Sequence, residues 1–150
     1  MFEIKYARPE DLTSWMRLVR AVSRDFPGLE TEESLIGHER TVLKNMERGS
    51  AICAAQGNVI VGVLLFSKKH NMLSCLAVAP ECRRLGIARA MIAEMLKNLD
   101  PARDIAVTTF REGDEKGIAP RALYKKLGFE EGELVEEFGY PNQRFIRRAR

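Results

Sequence analysis

Between residues 50 and 80 three apolar runs, SAICAAQ, VIVGVLLFSKK and MLSCLAVAP, follow one another with almost no chain between them. Parallel neighbours need a crossover of a dozen or more residues, so runs this close can pair in sequence only as antiparallel strands. Gly57-Asn58 between the first two is a two-residue hairpin signal, and Lys69-His70-Asn71 carries the chain into the third. A three-stranded antiparallel meander is therefore the centre around which the rest must assemble.

The flanking segments supply the layers. FEIKYA alternates and reads as a first strand. Pro9, Glu10 and Asp11 open an amphipathic helix through about Ser23, with Leu12, Trp15, Met16, Val19 and Val22 on one side. DFPGLE breaks it. A second helix, TEESLIGHERTVLKNMERG, starts at Thr31 with Ser34 three residues on, an imperfect capping-box pattern, and stops at Gly49. After the meander, the helix following Gly86 presents Ile87, Met91, Ile92, Met95, Leu96 and Leu99, and ends near Asp100-Pro101. DIAVTTF is a strand, APRALYKKLG a short helix closed by Gly128, and FEEGELVEEF and NQRFIRR are two last strands. With no repeat or Gly/Ser/Pro-rich linker, the order β-α-α-β-β-β-α-β-α-β-β predicts one mixed α/β domain over residues 1–150.

Composition narrows the function classes. The chain is 45% apolar and 30% charged, ordinary for a soluble globular domain. Its longest apolar runs fall far short of the roughly 20 residues a membrane span needs. MFEIKYARPEDL lacks a basic segment followed by an apolar one, so no signal peptide is expected, and a cytoplasmic location is. Cys53, Cys75 and Cys82 have no metal-ligand spacing, Cys53 and Cys75 lie in apolar runs, and the histidines are only His38 and His70, so no metal is expected. The net charge of +3 does not imply nucleic acid. The basic RFIRRAR terminus comes without an aromatic stacking platform or helix-turn-helix pattern, and reads as a solvated terminal strand.

Residues 78–91, VAPECRRLGIARAM, carry the chemistry. Pro80 ends the strand because it cannot donate to a ladder. The amides from Arg84 to Ala88 then fall in a turn and the first turn of a helix, where up to four have no intrahelical partner and the helix dipole adds positive potential. A phosphate or pyrophosphate suits such a place. Gly86 lets an oxygen approach closely, and Arg83, Arg84 and Arg89 add charge. A flexible link beside solvated arginines accounts for the spacing equally well. Neither GxGxxG nor GxxxxGK[ST] is present, which sets aside kinase-like and nucleotide-dehydrogenase readings.

Arg83-Arg84-Leu85-Gly86-Ile87-Ala88 resembles the [Q/R]-x-x-G-x-[G/A] motif of the GNAT superfamily of N-acetyltransferases, preceded by a matching LAVAP. Residues 122–130, ALYKKLGFE, resemble the helix and strand that close that family's cofactor site, and the element order agrees over nearly the whole chain. The resemblance implies a mostly antiparallel central sheet of about seven strands flanked by four helices. It implies acetyl-CoA as acetyl donor, with its pyrophosphate on the amides of Arg84 through Arg89 and its pantetheine arm along Leu76, Ala77 and Val78. Pantetheine amides exchange hydrogen bonds with an open strand edge as an added strand would, and an amide there polarises the thioester carbonyl.

The resemblance also gives Tyr124 the part of general acid to the departing CoA thiolate. The bland alternative is a tyrosine packed under the sheet. Seven residues earlier, where many members have Asn, this chain has Gly117; Met72 stands where some place a carboxylate. No general base is assignable: His70 lies in a turn remote from the motif, and Glu30, Glu32 and Glu33 suit a solvated helix start as well as a cationic amine. The expected activity is transfer of acetyl to a primary amine by direct attack, on a small molecule rather than a protein, since no macromolecule-targeting module is visible. A non-catalytic acyl-CoA-binding regulatory module is the alternative. The last two strands leave a homodimer open.

Overall fold

The computed structural model describes residues 1–150. Its strands are β1 (Glu3–Tyr6), β2 (Ala51–Gln56), β3 (Val59–Ser67), β4 (Met72–Val78), β5 (Ile105–Phe110), β6 (Glu130–Glu137) and β7 (Tyr140–Arg147). The helices are α1 (Leu12–Val22), α2 (Glu32–Arg48), α3 (Ile87–Leu96) and α4 (Ile118–Lys126). All seven strands join one sheet in the order β1-β2-β3-β4-β5-β7-β6. The mixed α/β architecture and the antiparallel β2-β3-β4 meander match the expectation from sequence. Boundaries shift slightly: α3 ends at Leu96, short of Asp100, and β7 begins two residues before Asn142. No helix is long and apolar enough to cross a membrane.

Helix starts and packing follow from identifiable residues. Thr31 and Ser34 complete a reciprocal box: Thr31 Oγ1 accepts the Ser34 amide at 3.0 Å and Ser34 Oγ accepts the Thr31 amide at 3.2 Å. Serine thus does at the third helical position what Glu or Gln usually does. The stripe Trp15, Met16, Leu18, Val19 and Val22 buries α1, and Leu35, Val42 and Met46 bury α2. On the opposite face α3 lies close to the sheet because Gly62 of β3 has no side chain. A Cβ there would stand 2.8 Å from Ile87 Cγ2 and 3.0 Å from Met91 Cε.

One joint in the sheet differs from the rest. β4 and β5 run parallel and share a single paired position, Met72 with Ala106. Beyond it the strands diverge. A bulge sharpens the divergence: Leu65 pairs with Cys75 and Phe66 with Leu73, leaving Ser74 over. The closed end is clamped by Asn71, which is 1% exposed and has φ +53°. Its Nδ2 donates to the carbonyls of Asp100 (3.0 Å) and Asp104 (3.2 Å), and its Oδ1 accepts the Asp100 amide at 2.8 Å.

The basic terminus is absorbed into the fold. Phe145 is fully buried in β7, Arg148 pairs with Asp104 (3.3 Å) and Glu130 (3.4 Å), and the Arg150 amide donates to Pro101 at 2.7 Å. At the far edge, β6 exposes Glu130, Glu131, Glu133, Glu136 and Glu137, charges that discourage edge-to-edge pairing.

Asn71→Ala and Asn71→Gly are both expected to lower stability by about 2 kcal/mol, because glycine spares the backbone conformation but not the buried hydrogen bonds. Denaturant unfolding with an unchanged m-value checks this; a wild-type midpoint for the glycine variant would assign the whole effect to the backbone.

Candidate functional site

The divergence of β4 from β5 leaves part of β4 without a partner, and the register says which part. The Ala79 amide donates to Val61 at 2.8 Å, so Ala79, Ala77 and Cys75 turn their backbone polar groups to β3. Leu76 and Val78 alternate with them and face the gap. The mouth end of that edge is marked by Arg83, whose Nε donates to the Val78 carbonyl at 3.3 Å. Of the three β4 positions singled out in the sequence, Leu76 and Val78 thus offer backbone to the gap. Ala77 contributes its side chain to the opposite face.

At the mouth the chain turns into α3. Arg84 has φ +67° and Gly86 φ +80°, both left-handed. A Cβ on Gly86 would meet nothing within 4 Å, so conformation rather than crowding demands glycine there. The first bond of the helix runs from the Ala90 amide to the Gly86 carbonyl at 3.0 Å, and the six amides from Arg84 to Arg89 donate to no group in the chain. Ile87 is buried against the sheet, while Leu85, Gly86 and Arg89 lie open to solvent. Arg83, Arg84 and Arg89 enter none of the chain's ion pairs. Positive potential and unpaired donors converge on one exposed turn, which suits a phosphate.

Tyr124 of α4 packs against Phe129 and Phe145 with ring centres 5.8 and 6.2 Å away. Burial, first, and the nearby Cys75 hold its pKa well above the ordinary phenol value, and no hydrogen bond ties the hydroxyl within the chain. A buried phenol near Cys75 therefore reaches from α4 to the gap-side strand with its proton free to donate. Burial also pushes the Cys75 thiol up to about 11, so it stays uncharged.

Two residues beside Tyr124 depart from what its setting suggests. Gly117 is buried, and a Cβ there would lie 3.0 Å from Phe110 Cβ and 3.1 Å from Arg121 Cδ. The space an asparagine would use is filled by Arg121, which is 6% exposed. Its guanidinium donates to the Phe110 carbonyl (2.9 Å), to Gln143 Oε1 (2.7 Å) and to Glu131, and lies 4.9 Å from the Phe145 ring centre. It ties α4 to β5, β6 and β7. The large groove outside it, about 420 Å³ between α4 and the segment after β5, is lined by Glu112, Asp114 and Lys125 and lies on the outer side of α4.

On the α1–α2 face, two of the three glutamates considered as amine ligands, Glu30 and Glu32, have partners within the chain, while Glu33 is exposed. Glu32 binds Arg20 through two bonds of 2.8 and 3.0 Å, and Glu30 accepts the Gly28 amide. His70 is exposed at the closed end of the gap, its amide bonded to Ser67. What faces β4 here is a narrow crevice lined by Val19, Val22, Phe26, Leu29, Val63, Cys75 and Ala77, together with His38 of α2. His38 Nε2 is buried with no hydrogen-bond partner. Its inward direction was legible in the spacing Leu35, His38, Val42, Met46, which runs along the buried stripe of the helix.

Comparison with known proteins bears on the family and the fold. A sequence model of the acetyltransferase (GNAT) domain matches residues 47–131. Among curated protein sequences none matches the chain. Among solved structures, an N-acetyltransferase from Staphylococcus aureus Mu50 superposes with a TM-score of 0.75 at 17% identity, covering 96% of this chain and 99% of that one. The PaiA N-acetyltransferase of Thermoplasma acidophilum, in complex with coenzyme A, gives 0.67 at 16% identity, covering 99% of each chain. YncA from Salmonella typhimurium, solved with its cofactor acetyl-CoA, gives 0.75 at 10% identity over 99% of this chain and 94% of that one.

Gly117→Asn is expected to destabilise the fold by about 1–3 kcal/mol, since the added side chain displaces Phe110 or Arg121. Thermal unfolding checks it; an unchanged Tm would mean that this wall yields freely.

Proposed function

The chain belongs to the GNAT acetyltransferase family, and from that membership we propose that it transfers an acetyl group from acetyl-CoA to a primary amine by direct attack. The observation that carries the proposal is the pairing of two open backbone features: the gap edge at Leu76 and Val78, and the six undonated amides of residues 84–89. A molecule with a pyrophosphate at one end and amides along its arm fits both. The amides of Arg84 through Arg89 would hold the pyrophosphate, and the exposed Arg83, Arg84 and Arg89 would add long-range attraction. The Leu76 and Val78 backbone would take the pantetheine arm as an added strand.

Acetyl-CoA, when bound, supplies an acetyl group activated as a thioester. The chain's part is to orient it and manage charge. A backbone N–H of β4 facing the gap polarises the carbonyl as negative charge develops on oxygen. The Tyr124 hydroxyl, unpaired and held protonated by burial, donates to the sulfur as it leaves. The fixed wall of Arg121, Phe129 and Phe145 orients the phenol ring. We take the acceptor to be a small-molecule amine, since the sequence shows no macromolecule-targeting module, and no step calls for a metal.

Thiol release from acetyl-CoA, measured across a panel of primary amines, tests the reading. Amine-stimulated release supports transfer, whereas saturable acetyl-CoA binding with no stimulated release would assign the chain to acyl-CoA binding without catalysis. Tyr124→Phe is expected to lower kcat about 100-fold with little change in KM for acetyl-CoA. Because its pKa is raised above 10, Tyr124 should contribute no falling limb to the kcat profile up to about pH 10. An unchanged kcat in Tyr124→Phe, or a phenol limb below that pH, contradicts the acid role.

A further inference from the structure

We propose that His38 is the proton acceptor for the attacking amine, and that the apolar crevice around its Nε2 receives the amino nitrogen in its uncharged form. The inference rests on the acetyl-transfer reading above and names the acceptor half of that site. The geometry is a matter of faces. Gly62 of β3 is paired with Val78 and faces Ile87 and Met91 of α3, so the undonated amides lie on that side of the sheet. Cys75 and Ala77 alternate with Leu76 and Val78 and put their side chains on the other side, into the crevice that His38 lines. Cys75 is also the β4 residue that Tyr124 feels. The proposed acid and the imidazole therefore both approach Cys75 of β4, the residue next to Leu76, whose backbone faces the gap.

The crevice is about 10 Å³, room for one water-sized group such as an amino nitrogen. A buried imidazole nitrogen without a partner is costly, so its retention here asks for an explanation. No carboxylate, lysine or arginine lines the crevice; the one other titratable side chain is Cys75, which is neutral. A space so lined rejects an ammonium ion and admits a free amine. In the step, the amine nitrogen forms a bond to the carbonyl carbon and passes one N–H proton to His38 Nε2. The C–S bond breaks with its electron pair on sulfur, and the thiolate takes the Tyr124 proton. The imidazolium and phenolate left behind are neutralised by net transfer of one proton through solvent as products leave. Burial alone lowers the His38 pKa from 6.5, which keeps the ring neutral and receptive at pH 7.

This selects for amines that are already neutral. At pH 7.5 a third or so of an α-amino group is uncharged, against about 0.1% of an alkylamine resembling lysine. Alaninamide is therefore expected to exceed propylamine in kcat/KM by at least about tenfold.

The experiment uses the full chain, wild type and His38→Gln, with acetyl-CoA and these two amines. Calorimetry should give acetyl-CoA affinities within twofold of each other. His38→Gln should lose about 100-fold in kcat/KM for alaninamide, and should lose the acid limb that wild type shows below pH 6.5. Imidazole NMR, simple in a chain with two histidines, should show His38 titrating below 6.5 and shifting on addition of alaninamide to the CoA-bound protein, with His70 unmoved. The sign for folding is that the unfolded chain takes up this proton first. Wild-type stability therefore declines as pH falls through 6.5, and His38→Gln declines less. Wild-type turnover and pH profile retained in His38→Gln would overturn this inference and leave the donor reading intact. So would a His38 resonance indifferent to both amines. Failure of wild type to bind acetyl-CoA would overturn the donor reading and this one with it.

Discussion

The structure turns on a strand that is held along one side only. β4 pairs with β3 throughout, but with β5 at the single position Met72–Ala106. In a closed sheet the backbone groups of Leu76 and Val78 would be spent on a neighbour. Here those of Leu76 and the Val78 amide remain available, the Val78 carbonyl being taken by Arg83 Nε. The clamp at Asn71 together with the bulge at Ser74 keeps the strands apart without letting the sheet divide. The open edge is thus stabilised from outside itself, by buried bonds at its closed end and by α3 seated on Gly62.

The period of two along β4 then separates the roles. Backbone at Leu76 and Val78 faces the gap, while side chains at Cys75 and Ala77 face the α1–α2 crevice. In the proposed reaction this gives donor and acceptor different approaches to one carbonyl carbon. The proposed phosphate site uses backbone amides and exposed arginines at a solvent-facing turn. The proposed acceptor approach is apolar and narrow. Deprotonation is therefore a question of desolvation as much as of basicity. The contact of the β6–β7 turn with the α1–α2 loop belongs to the same side: Phe138 stacks over Gly28, where a Cβ would lie 2.7 Å from its ring. Gly28 sits between Phe26 and Leu29, both of which line the crevice.

Much of this was legible in the residues, for physical reasons that can be named. The meander was dictated by linkers too short for a crossover, and the helices by their apolar spacing and caps. The turn at Gly86 stood out because a strand-ending proline and a glycine before an apolar helix leave amides with nowhere to bond. Spacing could not decide between a link and an anion site there, since that depends on whether neighbours take up the amides. Only the fold shows that none does. The glutamates near DFPGLE stayed open between an amine site and a solvated helix start because composition does not reveal local pairing; the structure shows Arg20 and the Gly28 amide bound to two of them. His38 was overlooked because a lone histidine on a buried helical stripe looks like core, and its orphaned Nε2 is visible only once the crevice is assembled. Arg121 was missed for the converse reason: an arginine in a short helix reads as surface, yet four neighbours claim its guanidinium.

We propose that the open backbone of β4 and of the turn into α3 forms one donor site. An amide-resolved NMR titration of the full chain with acetyl-CoA tests it most directly. Saturable shifts are expected at residues 84–89 and at Leu76 and Val78, with the basic C-terminal residues 147–150 unmoved. Shifts centred on that terminus or on the groove outside α4, with residues 84–89 silent at saturation, would contradict it.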